Sequence, residues 1–144
     1  MKPLVIIGCG AKKQDKPCPA SDLYTGPLFV KALAYARAVA KDDDIRILSA
    51  KHGLLKLDQI VRPYEHRLTK ADIRGLPSLD ITVRGQLEDL ECGHCPVLML
   101  ASNDYSLLFH AAWWSVFQSN PKMDQPLAGL GIGYQMQWLK ECTP

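Results

Sequence analysis

The chain has 144 residues, enough for one compact domain and short for two. Hydrophobic residues make up 47% and charged residues 22%, the proportions of a soluble globular protein, and no apolar run approaches the roughly 18 to 20 residues that span a bilayer. The net charge of +2 hides an asymmetry: residues 1–84 hold fifteen Lys/Arg against nine Asp/Glu, and residues 85–144 two against six. A basic front half points to an anionic partner, nucleic acid being the commonest candidate, although uneven surface solvation accounts for the charge equally well.

The opening "MKPLVIIGCG" lacks the long apolar segment of a signal peptide and reads as the first strand of a cytoplasmic protein. Pro3 to Ile7 is apolar and β-branched, and Gly8-Cys9-Gly10 ends it in a loop. Thr25 is placed to cap the next helix, with Pro27 in its first turn. Leu28, Phe29, Ala32, Leu33, Ala36 and Val39 recur at helical spacing until Asp42-Asp43-Asp44, and a second strand, Ile45 to Leu48, follows. Thr69-Lys70-Ala71-Asp72 reads as a capping box, and helical spacing returns around "LDITVRGQLEDL".

Five cysteines, an odd count, argue against a disulfide framework. Cys92-Gly93-His94-Cys95 has the form of a redox motif, but it follows a helix and precedes a strand, the reverse of the context that lowers a thiol pKa. A zinc site would need a second ligand pair, so the tetrapeptide reads as a plain turn, and no metal or cofactor is expected. "PVLMLAS" is the third strand, with Asn103-Asp104 placed to cap the helix "YSLLFHAAWWSVF". Trp113 and Trp114 within it read as core or partner-facing. The tail "LGIGYQMQWLKE" is a glycine turn into a last helix. Strands alternate with helices, which predicts a three-layer α/β sandwich with a mainly parallel central sheet.

Each strand ends in polar residues: Gly8-Cys9-Gly10-Ala11-Lys12-Lys13, Ser49-Ala50-Lys51-His52, and Ser102-Asn103-Asp104-Tyr105. In a parallel sheet these carboxyl ends share one side, where ligands bind. Singly, Lys51 reads as a solvated cation and His52 as a turn residue; three convergent polar ends read as a site. Lys12 and Lys13 lie in a glycine-containing loop whose amides suit an anion, with neither a Walker nor a dinucleotide fingerprint. Glu65 and Asp22 are the candidate working carboxylates, while helix capping accounts equally well for Asp104. Tyr24, Tyr64 and Tyr105 stand beside cations, an arrangement suited to base stacking, and tyrosine is also an ordinary loop anchor.

The segments "GCGAKK", "DLYTGPLFVKALAYA", "ILSAKHGLL", "PYE" and "LAGLGIGYQMQWLKE" resemble, in order and over nearly the whole chain, a bacterial and phage family known only as a domain of unknown function. That family is similar to uracil-DNA-glycosylase-like α/β domains, phage-defence glycosylases among them, and to peroxide-stress proteins thought to bind DNA. The chain lacks the Gly-Gln-Asp-Pro-Tyr and His-Pro-Ser-Pro motifs of uracil glycosylases, so uracil itself is not implied. The resemblance implies hydrolysis of the N-glycosidic bond of a modified base in DNA, leaving an abasic site. The alternatives are a non-catalytic DNA-binding stress protein and a base-exchanging transglycosylase.

Under the glycosylase reading, Lys12 and Lys13 with the Cys9-Gly10 loop grip phosphate, and a tyrosine stacks on the flipped base. Glu65 activates water or stabilises the sugar cation, with Asp22 as the other carboxylate. Lys51 or His52 donates to the departing base. Ser49 lies beside them, and Asn103 reads the base edge.

Overall fold

The computed structural model describes residues 2–65, 79–90, 93 and 95–144. Val5, Ile6 and Ile7 are β-branched, which favours pleated backbone, and they form the centre of β1 (Leu4–Gly8). The elements that follow are β2 (Cys18–Pro19), α1 (Ala20–Leu23), α2 (Pro27–Val39), β3 (Ile45–Ser49), β4 (Gly53–Lys56) and β5 (Ile60–Val61). Then come α3 (Leu79–Leu90), β6 (Val97–Leu100), α4 (Asn103–Phe117), β7 (Met123–Asp124) and α5 (Ile132–Cys142). Five strands form one sheet in the order β4-β3-β1-β6-β7. β3, β1, β6 and β7 run parallel, and β4 is antiparallel to β3. β2 and β5 pair as a separate small ribbon.

Alternation along the strands divides the core in two. Val5, Ile7, Ile45 and Ile47 pack with Phe29, Ala32, Leu33 and Ala36 of α2 and Leu139 of α5. Leu4, Ile6, Leu48 and Met99 pack with Val83 and Leu87 of α3 and Leu108, Phe109 and Trp113 of α4. Helices therefore cover both sheet faces, which is why β1 is apolar at every central position. Trp113 is core at 1% exposure, whereas Trp114 is half exposed. No described helix is long and apolar enough to cross a membrane.

Several local expectations are corrected. The polar stretch after β3 is not an open loop: Ser49 pairs with Gly53, and Ala50-Lys51-His52 turns the chain back into β4. Gly53 closes this turn at φ +69°, a conformation that glycine tolerates and other residues resist. The N-cap of α2 is Gly26, not Thr25; that of α4 is Ser102, with Asn103 already inside the helix. Cys95 is disulfide-bonded, contrary to the expectation of free thiols, while Cys9, Cys18 and Cys142 are free. Cys92, His94 and the capping box at Thr69 lie outside the described residues.

Candidate functional site

β1 passes the chain to α2 and β3 on one side of the sheet, and β6 passes it to α4 and β7 on the other. The loops leaving β1 and β6 therefore part, and a crevice opens between them at the carboxyl ends of the strands. It holds a cavity of about 310 Å³, bounded by Gly8, Cys9, Phe29, Ser102, Tyr105 and Gln135. Gly8 lets the loops approach, since a Cβ there would sit 3.2 Å from that of Ala101. The first residues of α2, α4 and α5 all border this cavity or adjoin residues that do. None of their N-caps makes a side-chain capping bond, so the positive helix ends face the space without that screen.

A second, polar cleft of about 550 Å³ opens beside the first and is bounded by Lys13, Gln14, Asp15, Pro63, Tyr64 and Glu65. Hydroxyl and thiol groups form a chain under the two. Lys51 and His52 donate their backbone N–H groups to Ser49 Oγ, each at 3.2 Å. With both lone pairs engaged, Ser49 donates its own proton to the Tyr64 hydroxyl at 2.6 Å. Tyr64 and Tyr24 share a further hydroxyl hydrogen bond of 2.5 Å. Cys9 also borders Tyr64, and its Sγ lies 3.1 Å from the Tyr105 hydroxyl at the cavity wall.

Burial raises the pKa of both tyrosines: Tyr64 is pushed up to about 12, and Tyr24 is held further above the ordinary phenol range. Both are neutral hydrogen-bonding groups at physiological pH. Burial first, then the neighbouring Lys51 charge, lowers the His52 pKa from its ordinary 6.5, so its imidazole is neutral at pH 7. Two cations converge on one ring: Lys13 Nζ lies 4.5 Å and Lys51 Nζ 5.6 Å from the Tyr64 centroid. Among the described residues Lys12, Lys13 and Lys51 pair with no carboxylate.

The segment from Ser49 through Glu65 and the loop after β1 thus contribute to one edge of the sheet, but the expected residues divide among distinct places. Cys9, Gly10, Lys12 and Tyr105 border the apolar cavity. Lys13, Tyr64 and Glu65 border the polar cleft, with Glu65 exposed. Tyr24, at 2% exposure, and the fully buried Ser49 are structural supports that no base can reach. Tyr64, at 8%, has its hydroxyl engaged and its ring beside Lys13, Lys51 and His52, which removes it as a stacking surface. Asp22 is exposed and borders neither cavity; its backbone carbonyl accepts from Gln14, and among the described residues its carboxylate has no hydrogen-bond or ion-pair partner. Asn103 lies exposed in the first turn of α4, outside the cavity wall. Phe29 and Gln135 are cavity residues that sequence reasoning did not select, because both look like ordinary members of amphipathic helices. No group of three or more His, Cys, Asp or Glu among the described residues is placed to hold a metal ion.

A mainly parallel α/β sheet covered by helices on both faces, with an apolar cavity at its switch point, defines a domain of the doubly wound α/β class. The chain belongs to the family of unknown function DUF6884, whose model matches residues 4–141. No curated protein matches it.

Proposed function

We propose that the protein is an N-glycosidase acting on a modified base in DNA. The observation that carries this reading is the apolar switch-point cavity, with Lys12 at its wall and the Lys13–Lys51 pair beside it. A flipped base needs a dry pocket with an aromatic wall, here Phe29 and Tyr105, and its flanking phosphates need cations. The three helix N-termini add positive potential at the same mouth.

In the reaction the bond from C1′ to the base nitrogen breaks, and its electron pair leaves with the base, which takes up a proton. Water oxygen then bonds to C1′ and releases a proton, so that an abasic site remains. Glu65, the carboxylate of the polar cleft, stabilises the cationic sugar or receives the water proton. Neutral His52 is poorly suited to protonating a base; Lys51 is the cationic donor beside the cleft.

The exposure of Glu65 and Asp22 favours a second reading, DNA binding without chemistry, since a solvated carboxylate stabilises a cation weakly. The test is incubation of purified protein with genomic DNAs of different modification chemistry, followed by mass spectrometry for free bases. Released base with matching abasic sites is expected. DNA retention with no released base replaces the enzyme with a binding module.

A further inference from the structure

Gln135 lies in the first turns of α5 and borders the switch-point cavity. Its Nε2 donates to the carbonyl of Leu130 at 2.9 Å and to that of Leu127 at 3.4 Å. The amide orientation is fixed by these two acceptors, because the flipped amide would set Oε1 against two carbonyl oxygens. Both N–H donors are therefore committed to the preceding loop. Among the described residues Oε1 accepts no hydrogen bond.

Lys12 and Ser102 are the other polar side chains of the wall besides Cys9 and Tyr105. The cavity wall is mostly aliphatic and aromatic, and the Cys9 thiol and Tyr105 hydroxyl are engaged with each other. We infer that Gln135 is a specificity-determining residue whose fixed Oε1 selects a heterocycle bearing an exocyclic amino group over the same ring bearing a keto oxygen. This inference rests on the reading of the cavity as a base pocket.

The physical basis is an asymmetry of donors and acceptors. A free glutamine side chain pairs with adenine by giving and accepting at once. Gln135 has no donor left to give, so it only accepts. An amino group meets it with an N–H, whereas a keto oxygen meets it acceptor to acceptor. At Gln135 the keto oxygen then meets an acceptor with no proton between them, and polar mismatches of this kind discriminate far more strongly than a missing methylene.

The test compares cytidine with uridine and adenosine with inosine by NMR titration, following the Phe29 and Tyr105 ring signals. In whichever pair enters the cavity, the amino member is expected to bind about tenfold more tightly or better. Gln135→Met removes the acceptor at similar volume and is expected to equalise the pair. A melting curve for the variant separates loss of fold from loss of selectivity. Equal binding by the wild type, or a preference that survives in Gln135→Met, overturns the role of Gln135 and leaves the base pocket standing. Unperturbed Phe29 and Tyr105 signals with all four nucleosides overturn the base pocket and this inference together.

Discussion

Tyr64 ties together both sides of the polar cleft: its hydroxyl meets Ser49 and Tyr24, and its ring meets Lys13, Lys51 and His52. Tyr64→Phe keeps the ring in place but removes the hydroxyl that bridges the buried Tyr24 and Ser49 hydroxyls. It is expected to destabilise the protein by about 1–3 kcal/mol in urea denaturation. The same residue sets an alkaline limit. An unfolded tyrosine releases its proton near 10.0, whereas folded Tyr64 holds it to about 12. Between these values the folded state binds more protons, so its stability, complete below pH 10, falls as pH rises through the window. Denaturation midpoints measured across that range, with phenolate absorbance as the titration signal, check the sign. Glu65 makes the corresponding chemical test. Glu65→Gln is expected to bind modified DNA as the wild type does and to release base about a hundredfold more slowly; full release by the variant removes Glu65 from the mechanism. The Tyr24–Tyr64 pairing has no local sequence signal, because the partners lie forty positions apart and either residue reads equally well as a loop anchor or a stacking surface. The position of Glu65 beside Lys13 has no sequence signal either: Lys13 follows a strand of the parallel sheet, but Glu65 follows β5 of the separate ribbon, whose two-residue strands carry no pattern.

At the scale of elements, β4 ends the sheet and would present unpaired backbone groups to solvent. Gln86 of α3 covers that edge: its Oε1 accepts from Leu54 N at 2.6 Å, and its Nε2 donates to the carbonyls of Leu54 and His52. One side chain thereby supplies what a neighbouring strand would. Gln86→Leu is expected to cost about 1–3 kcal/mol and to promote self-association at this edge, read by light scattering during thermal unfolding. Gly53 belongs to the same arrangement, since a Cβ there would sit 2.5 Å from Gln86 Oε1 on a backbone already at positive φ. The alternation of strands and helices is legible in the sequence because apolar runs and helical spacing are local properties. The β3–β4 hairpin is not, because Ala50-Lys51-His52 has no turn dipeptide and glycine marks an open loop as readily as a tight one. The two-residue strands β2, β5 and β7 are too short to carry any periodicity.

For the molecule as a whole, Lys12 and Lys13 of the basic half stand at the cavity and the polar cleft, so under the proposed function binding to DNA is expected to depend on salt through them. Replacing Lys12 and Lys13 together with alanine is expected to weaken binding to every sequence and to lower the slope of log affinity against log salt by about 0.9 for each phosphate that their charges neutralise. An unchanged slope, measured by fluorescence anisotropy over a salt series, assigns these charges to ordinary solvation. The placement of β1 has a further consequence for how the chain comes off the ribosome. β1 emerges before the other strands of the sheet yet ends as the central one, with β3 on one flank and β6 on the other. The β1-α2-β3-β4 unit has all its parts soon after Lys56 is made, but the other flank of β1 stays open until Val97 through Leu100 have been synthesised. During that interval the nascent chain carries an apolar strand with one unpaired side, the kind of surface that chaperones hold and that neighbouring chains invade. Slow or interrupted synthesis between Lys56 and Val97 therefore threatens the yield of this protein more than an equal delay elsewhere.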